Sequence, residues 1–161
     1  MTRLGALRFI VECKPASQGS MTAVFNARLG VSRVRHANAP ALSKWRAAIR
    51  KEAKLQGAMK WDGPIGIYIS FGIKAPIDKR HGYPKAPDLD KLTRAVLDAL
   101  TGVCYIDDSQ VTTLDVEKIW ENATTVEVWR NEKQVTQRDT QTAIWQDYAQ
   151  RMEANKTKSN R

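Results

Sequence analysis

Cysteine and histidine are scarce in this sequence, with two of each in 161 residues. Such scarcity excludes a disulfide framework and the cysteine and histidine clusters that bind zinc. No apolar run approaches the roughly 20 residues that span a bilayer, and the N-terminus lacks a secretory pattern. We therefore expect a cytoplasmic protein with no membrane partner, in which Cys13 and Cys104 are small core or edge residues.

Acidic residues are nearly absent from the first 60 positions. Residues 1–60 carry 12 Lys and Arg against 2 Asp and Glu, a surplus of +10, whereas residues 61–161 carry 14 against 15, a balance of −1. Such a surplus is typical of proteins that bind a polyanion, because neutralised phosphates release condensed counterions. The charge favours nucleic acid as the partner. A basic surface that is only solvated, or one attracted to an anionic membrane, is the alternative.

The residue pattern predicts one domain that combines strands and helices. In chain order it predicts a strand at 7–12, an extended loop with a short hairpin at 14–40, a helix at 41–56, a strand at 65–73, an exposed loop at 74–85, an acidic helix beginning at Asp88, strands at 110–120 and 124–130 that pair as a hairpin, and a helix at 138–153. This order indicates an α+β or mixed α/β layer, with helices packed against a small mixed sheet. We expect residues 1–135 to form the single domain and residues 136–161 to form a C-terminal helix and a polar tail.

The helix predicted at 41–56 is amphipathic and basic. Its apolar stripe comprises Leu42, Trp45, Ile49 and Ala53, and lysines and arginines occupy the other faces. The loop at 74–85 adds positive charge beside the acidic helix. Six side chains are therefore candidates for contacts with DNA phosphates: Arg46, Arg50, Lys54, Lys79, Arg80 and Lys85. The alternative for the helix is a charged face that is only solvated.

Four aspartates flank the acidic helix. Asp88 and Asp90 stand at its start, and Asp107 and Asp108 follow its end. Magnesium and manganese prefer carboxylate oxygens, and a divalent cation makes a cluster of carboxylates tolerable. The segment therefore suggests a site for Mg²⁺, with Mn²⁺ as a substitute. The structural alternative is that Asp88 and Asp90 stabilise the helix N-terminus, while the later pair forms a turn into a strand.

The order and spacing of these residues resemble the RusA family of Holliday junction resolvases. The resemblance rests on Asp88-Leu89-Asp90, Ala95-Val96-Leu97-Asp98-Ala99-Leu100 with Gly102, Asp107-Asp108-Ser109-Gln110-Val111, and Lys118. A shorter match resembles the phage and actinobacterial branch: Phe9-Ile10-Val11, Pro15-Ala16-Ser17-Gln18-Gly19-Ser20 and Trp45-Arg46. The resemblance implies a magnesium-dependent endonuclease that acts as a homodimer and resolves four-way DNA junctions by paired nicks in recombination and repair.

The resemblance also implies roles for particular residues. It implies that Asp88, Asp90 and Asp108 are metal ligands, and their neighbour Asp107 is a further candidate. Arg94 replaces the family's lysine one helical turn past the second aspartate, and Lys91 stands where an asparagine is common. Because arginine is almost never deprotonated, we expect Arg94 to hold phosphate or stabilise negative charge rather than act as a base. Lys91 is a second candidate for this role, and a surface ion pair with Asp90 is the alternative for Arg94.

Two other functions are compatible with the sequence. One is a basic DNA-binding or architectural protein whose carboxylates only stabilise the fold. The other is a metal-dependent nuclease that acts on other branched nucleic acids, such as flaps, or on RNA. Divalent-metal-dependent cleavage separates the first from a resolvase, and substrate competition separates the second.

Overall fold

The computed structural model describes residues 6–19, 21–26, 28, 30–36, 38–77, 82–132 and 145, with the backbone alone for 21–26 and 31–36. Its elements are β1 (Leu7–Val11), β2 (Met21–Asn26), β3 (Val31–His36), α1 (Ala39–Leu55), β4 (Ile65–Ile73), α2 (Leu89–Leu100), a 3₁₀ turn (Asp108–Gln110), β5 (Val111–Trp120) and β6 (Thr124–Arg130). These elements lie within two residues of the predicted bounds, and β2 and β3 form the predicted short hairpin. The helix predicted at 138–153 lies outside the described residues apart from Trp145.

A four-stranded mixed sheet forms the centre of the molecule, in the order β1-β6-β4-β5. β5 runs parallel to β4, and the other neighbouring pairs are antiparallel. Ile67 and Ile69 of β4 are fully buried, and so are their partners Val128 and Val126 on β6. Both helices contribute to the same hydrophobic core. The predicted α+β domain, with helices packed against a small mixed sheet, is confirmed.

The predicted pairing of β5 with β6 is wrong, because β4 lies between them. Residues 121–123 cross over the end of β4 at Gly72, where an added Cβ would overlap the backbone of Ala123. The short connection therefore needs a residue without a side chain beneath it. β4 is the most continuously apolar of the three strands, and its central position buries nearly all of it.

The two helices bury the stripes that the sequence predicts. In α1, Leu42, Trp45, Ile49 and Ala53 are all buried. In α2, Leu92, Val96 and Leu100 are fully buried, whereas Leu89 and Leu97 are partly buried beside the core. The polar side of α2 is thereby placed along the open edge of the sheet next to β5.

Both cysteines occupy the predicted environments and are free thiols. Cys104 is buried, and burial raises the pKa of its thiol to about 12, so it stays protonated and unreactive at neutral pH. Cys13 is half-buried beside the core. Within the described residues, no helix has the length and apolar character needed to cross a membrane.

Candidate functional site

A cavity of about 570 Å³ opens between α2 and the edge strand β5. Its lining comprises Leu89, Asp90, Thr93, Arg94, Leu97, Asp108, Leu114 and Val116. The parallel pairing of β5 with β4 turns Leu114 and Val116 toward the face that carries the helices. The 3₁₀ turn directly before β5 then delivers Asp108 to the same opening. The fold thus brings together two of the predicted metal ligands and Arg94.

Three charged side chains at this cavity have no hydrogen-bond or ion-pair partner among the described residues. Asp90, Arg94 and Asp108 are all exposed, and within the described residues none of them makes a side-chain hydrogen bond or ion pair. The surface ion pair considered for Arg94 and Asp90 is therefore not formed. Apolar side chains form much of the cavity wall beneath these charges. The arrangement leaves two carboxylates and one guanidinium available to a ligand.

Asp88 occupies the N-cap position of α2, but its side chain makes no capping hydrogen bond. Lys91 Nζ instead donates to Asp88 Oδ2 at 2.5 Å, and both side chains are largely exposed. The hydrogen bond from Lys91, together with the charges of Lys91 and Lys118, lowers the pKa of Asp88, and the same hydrogen bond raises the pKa of Lys91. Asp88 is therefore ionised at neutral pH, and among the described residues its carboxylate is held by one largely exposed lysine side chain.

Asp107 has a structural partner in the turn that precedes β5. Its Oδ1 accepts a hydrogen bond from the Ser109 backbone N–H at 2.9 Å, and the Gln110 side chain completes a capping box. Hydrogen bonds from Ser109 lower the pKa of Asp107. The turn interpretation thus accounts for Asp107. The carboxylate of Asp108, the next residue, makes no such hydrogen bond among the described residues.

Gln110 anchors the same turn, a role that the sequence analysis did not assign. Its Oε1 accepts hydrogen bonds from the backbone N–H groups of Ile106 and Asp107, and its Nε2 donates to the carbonyls of Trp61 and Gly63. The turn is thus tied to the chain that leads into β4. Because Asp108 lies within this turn, Gln110 helps fix where the aspartate meets the cavity.

Lys118 connects β5 to the start of α2. Its Nζ donates to the carbonyls of Lys85 at 3.0 Å and Pro87 at 2.8 Å. These two residues lie within the three positions before Asp88, so Lys118 holds the segment that leads into the acidic helix. In the sequence Lys118 stands out only as part of the matching pattern, because nothing in its spacing reveals two backbone acceptors more than 30 residues away.

The candidates for DNA contacts are placed differently from one another. Arg50 and Lys54 on α1 are exposed, and so is Lys85. Arg46 is turned inward: its guanidinium donates to Gln18 Oε1 and to Asp98 Oδ2, and its side chain is only 20% exposed. The remaining two candidates, Lys79 and Arg80, lie outside the described residues.

The donor set at the cavity suits a divalent cation of the magnesium type. Within the described residues, no group of three His, Cys, Asp or Glu side chains is placed to hold a metal ion. Mg²⁺ does not need such a cage, because it usually keeps several waters and binds one or two carboxylates together with substrate phosphates. Asp90 and Asp108 supply two carboxylates at one opening. Asp88 lies at the N-cap of α2, two residues before Asp90. These oxygen donors fit Mg²⁺ or Mn²⁺ bound together with a phosphate.

Comparison with known families agrees with this geometry. A family model described as endodeoxyribonuclease RusA matches residues 21–131, which is more than half of the chain. A search among curated proteins found no match. The matched region includes every residue that lines the cavity. The RusA family comprises Holliday junction resolvases, nucleases that act on branched DNA and are generally dependent on a divalent metal. The chain belongs to the RusA family of endodeoxyribonucleases.

Proposed function

We propose that this protein is a magnesium-dependent resolvase that cuts four-way DNA junctions at the cavity between α2 and β5. The observation that carries the proposal is that Asp90, Arg94 and Asp108 line one opening and have no side-chain partner among the described residues. Charged groups of both signs without partners suit a ligand that itself contains a cation and a phosphate. Asp88 would join the proposed metal-binding set when its exposed pair with Lys91 opens, and such exposed pairs are weak.

Each side chain of the site has a distinct proposed role. Asp88, Asp90 and Asp108 would hold the metal. A bound Mg²⁺ or Mn²⁺ supplies an activated water and stabilises the charge that develops on the phosphate oxygens. Arg94 would grip the scissile phosphate, because its guanidinium is planar, permanently charged and suited to two phosphate oxygens. Lys91 is the second candidate for phosphate contact.

The surroundings of the cavity would hold the arms of the junction. Arg50 and Lys54 on α1 and Lys85 before α2 are exposed and basic, and we propose that they contact DNA phosphates, with Lys79 and Arg80 adding to them. Phosphate contacts carry no sequence information, so they would fix the position of the DNA rather than the cleavage sequence.

The assembly and cellular setting follow from the same proposal. A homodimer would present two sites about a twofold axis, which suits paired nicks in two symmetry-related strands. Residues 1–135 would form the nuclease domain, followed by a C-terminal helix and polar tail at 136–161. Such an enzyme would act on junctions of DNA recombination and repair in the cytoplasm.

The proposal is tested by incubating the purified protein with an end-labelled four-way junction in Mg²⁺, in Mn²⁺ and in EDTA. We expect paired nicks with either metal, and junction binding without cleavage in EDTA. A linear duplex of the same sequence should be cut far more slowly. The Asp90→Asn protein, purified in parallel, controls for a contaminating nuclease.

The other outcomes distinguish the alternative functions. Tight junction binding without cleavage in any metal would support the architectural protein. Preferential cleavage of a flap or of RNA in direct competition with the junction would support a nuclease of different substrate class. Junction affinity in EDTA should also fall steeply with salt, because the basic surface releases counterions on binding.

A further inference from the structure

Arg94 stands between two aspartates on the same helix. Asp90 precedes it by four residues and Asp98 follows it by four. Side chains four residues apart are neighbours on a helix surface, so each aspartate lies within reach of an arginine. In the proposed function Asp90 is committed to the metal ion. Asp98 is therefore the remaining acid on α2 able to compete with a phosphate for the Arg94 guanidinium.

Asp98 is held by an arginine from a different helix. The Arg46 guanidinium on α1 donates to Asp98 Oδ2, and the two side chains are 20% and 35% exposed. Partial burial makes this pair stronger than a fully solvated one, since water screens it less. As a result Arg94 makes no ion pair with Asp98 in the described structure, although helical spacing would allow one.

Arg46 is also held by Gln18, which lies in the loop after β1. The same terminal nitrogen that reaches Asp98 also donates to Gln18 Oε1 at 2.5 Å. The backbone N–H of Gln18 donates in turn to the carbonyl of Lys91 on α2 at 3.0 Å. The loop that carries Gln18 is thus tied both to the arginine and to the helix that bears the site. This closed set of contacts holds the Arg46 guanidinium beside Asp98.

We propose that Arg46 is a positioning residue of the nuclease: by holding Asp98, it keeps the Arg94 guanidinium available to the substrate phosphate. The inference rests on the role proposed above for Arg94. Without Arg46, the Asp98 carboxylate would pair with Arg94 or repel the approaching phosphate. The Arg46 side chain would then serve the reaction through Arg94, without touching DNA.

The test is a double-mutant comparison of Arg46→Met, Asp98→Asn and the combined variant. We expect Arg46→Met to lower kcat for junction cleavage by about five-fold, within the range of couplings between contacting residues. Asp98→Asn alone should cleave within about two-fold of the parent, because it removes the competing charge and retains an acceptor for Arg46. The combined variant should regain a rate within about two-fold of the parent, since no carboxylate is left to capture Arg94.

Two other roles for Arg46 predict different results. If Arg46 contacted DNA directly, Arg46→Met would raise KM and weaken binding to every DNA shape, and the second substitution would not restore either. If Arg46 only stabilised the fold, cleavage would follow the melting temperature, and the combined variant would be no better than Arg46→Met. Either pattern would overturn the inference.

Two further variants keep the result interpretable. Arg46→Lys retains a positive charge beside Asp98 and should retain most of the activity, so it replaces Arg46→Met as the test if the methionine variant does not fold. A loss as large as that expected for methionine would then count against charge capture. Arg94→Ala reports on the underlying proposal, because a parental rate for this variant would refute the role of Arg94. If Arg94→Ala is slow but Asp98→Asn does not rescue Arg46→Met, only the role of Arg46 is refuted.

Discussion

The charged side chains that line the cavity differ from their charged neighbours in whether the protein supplies a hydrogen-bond or ion-pair partner. Among the described residues, Asp90, Arg94 and Asp108 at the cavity have no such partner. The flanking aspartates each have one: Asp88 with Lys91, Asp98 with Arg46, and Asp107 with Ser109. All six are charged residues of one short segment, and packing decides which of them remain available. The partners of the neighbouring acids therefore define the site as much as its own residues do.

The difference leaves room for a ligand at the cavity and not at the flanking aspartates. Asp90 and Asp108 have no hydrogen-bond or ion-pair partner among the described residues at the opening that they share, and a bound cation with its phosphate would supply one. Each flanking aspartate already accepts a hydrogen bond from a cation or a backbone N–H.

The largest expected loss of cleavage rate comes from removing the negative charge of Asp90 or Asp108, the carboxylates without a partner among the described residues. Asp90→Asn and Asp108→Asn should each slow junction cleavage by at least about 100-fold, because a lost metal ligand forfeits several kcal/mol of charge stabilisation. Junction binding in EDTA should survive or tighten, since a carboxylate that repels phosphate is gone. Cleavage, binding and thermal melts are measured on the same preparations. Asp115→Asn, an exposed aspartate on the opposite face of β5, is the matched control, and full cleavage by folded Asp108→Asn would refute the metal site.

Asp88 has a partner in Lys91 and is also a proposed metal ligand, so its substitution tests which of the two groups it belongs to. As a metal ligand, Asp88→Asn should abolish cleavage in the same assay. As a helix cap it should be nearly silent, because Asn caps a helix about as well as Asp. Lys91→Met releases Asp88 from its partner and leaves the carboxylate in place, so cleavage should persist with an unchanged or lower magnesium requirement. Loss of cleavage in Lys91→Met with normal magnesium dependence would instead indicate that Lys91 contacts the phosphate.

Arg94 is the cation at the cavity and has no partner among the described residues, and its removal should have the next largest effect. Arg94→Ala should lower the cleavage rate by about ten-fold or more, as the loss of a contact to developing negative charge does. The fold and the junction affinity should change little. Arg94→Lys should retain activity, because it keeps the charge. Arg130→Ala, another exposed arginine in a separate element, is the control, and a rate for Arg94→Ala within about two-fold of the parent would make Arg94 a solvated surface residue.

Lys118 belongs to neither group and holds the segment that leads into α2. Lys118→Met removes the donor to the carbonyls of Lys85 and Pro87 and should cost about 1 kcal/mol of unfolding free energy. A small displacement of Asp88 and Asp90 should slow cleavage by about three-fold, because metal chemistry depends on geometry. Lys118→Arg keeps donors in reach and should lose less. Unchanged cleavage with reduced stability would show that the contact serves the fold alone.

The sequence indicated which acids could lie near one another better than it indicated their partners. Asp90 and Asp108 could be proposed as metal ligands because they flank one helix with an apolar stripe and match a family pattern, and the structure places both at one cavity. Arg46 was expected to face DNA, since amphipathic spacing reports which face of α1 is polar. It cannot report that Asp98, 52 residues away, meets that face. The order of β4, β5 and β6 was missed for a similar reason: a three-residue connection suggests a hairpin unless the role of Gly72 is known.

The smallest expected effect concerns Asp107, which adjoins Asp108 in sequence and belongs to the partnered group. Asp107→Ala removes the acceptor for the Ser109 N–H and should lower the melting temperature by a few degrees, whereas Asp107→Asn retains an acceptor and should change it little. Cleavage well below the melting transition should stay within about two-fold of the parent for both variants, as is usual for surface substitutions away from a site. The measurement is junction cleavage at saturating magnesium, with Asp108→Asn alongside. If Asp107 held the metal instead, both variants would lose cleavage together, because neither alanine nor asparagine supplies the negative charge that a magnesium ligand provides.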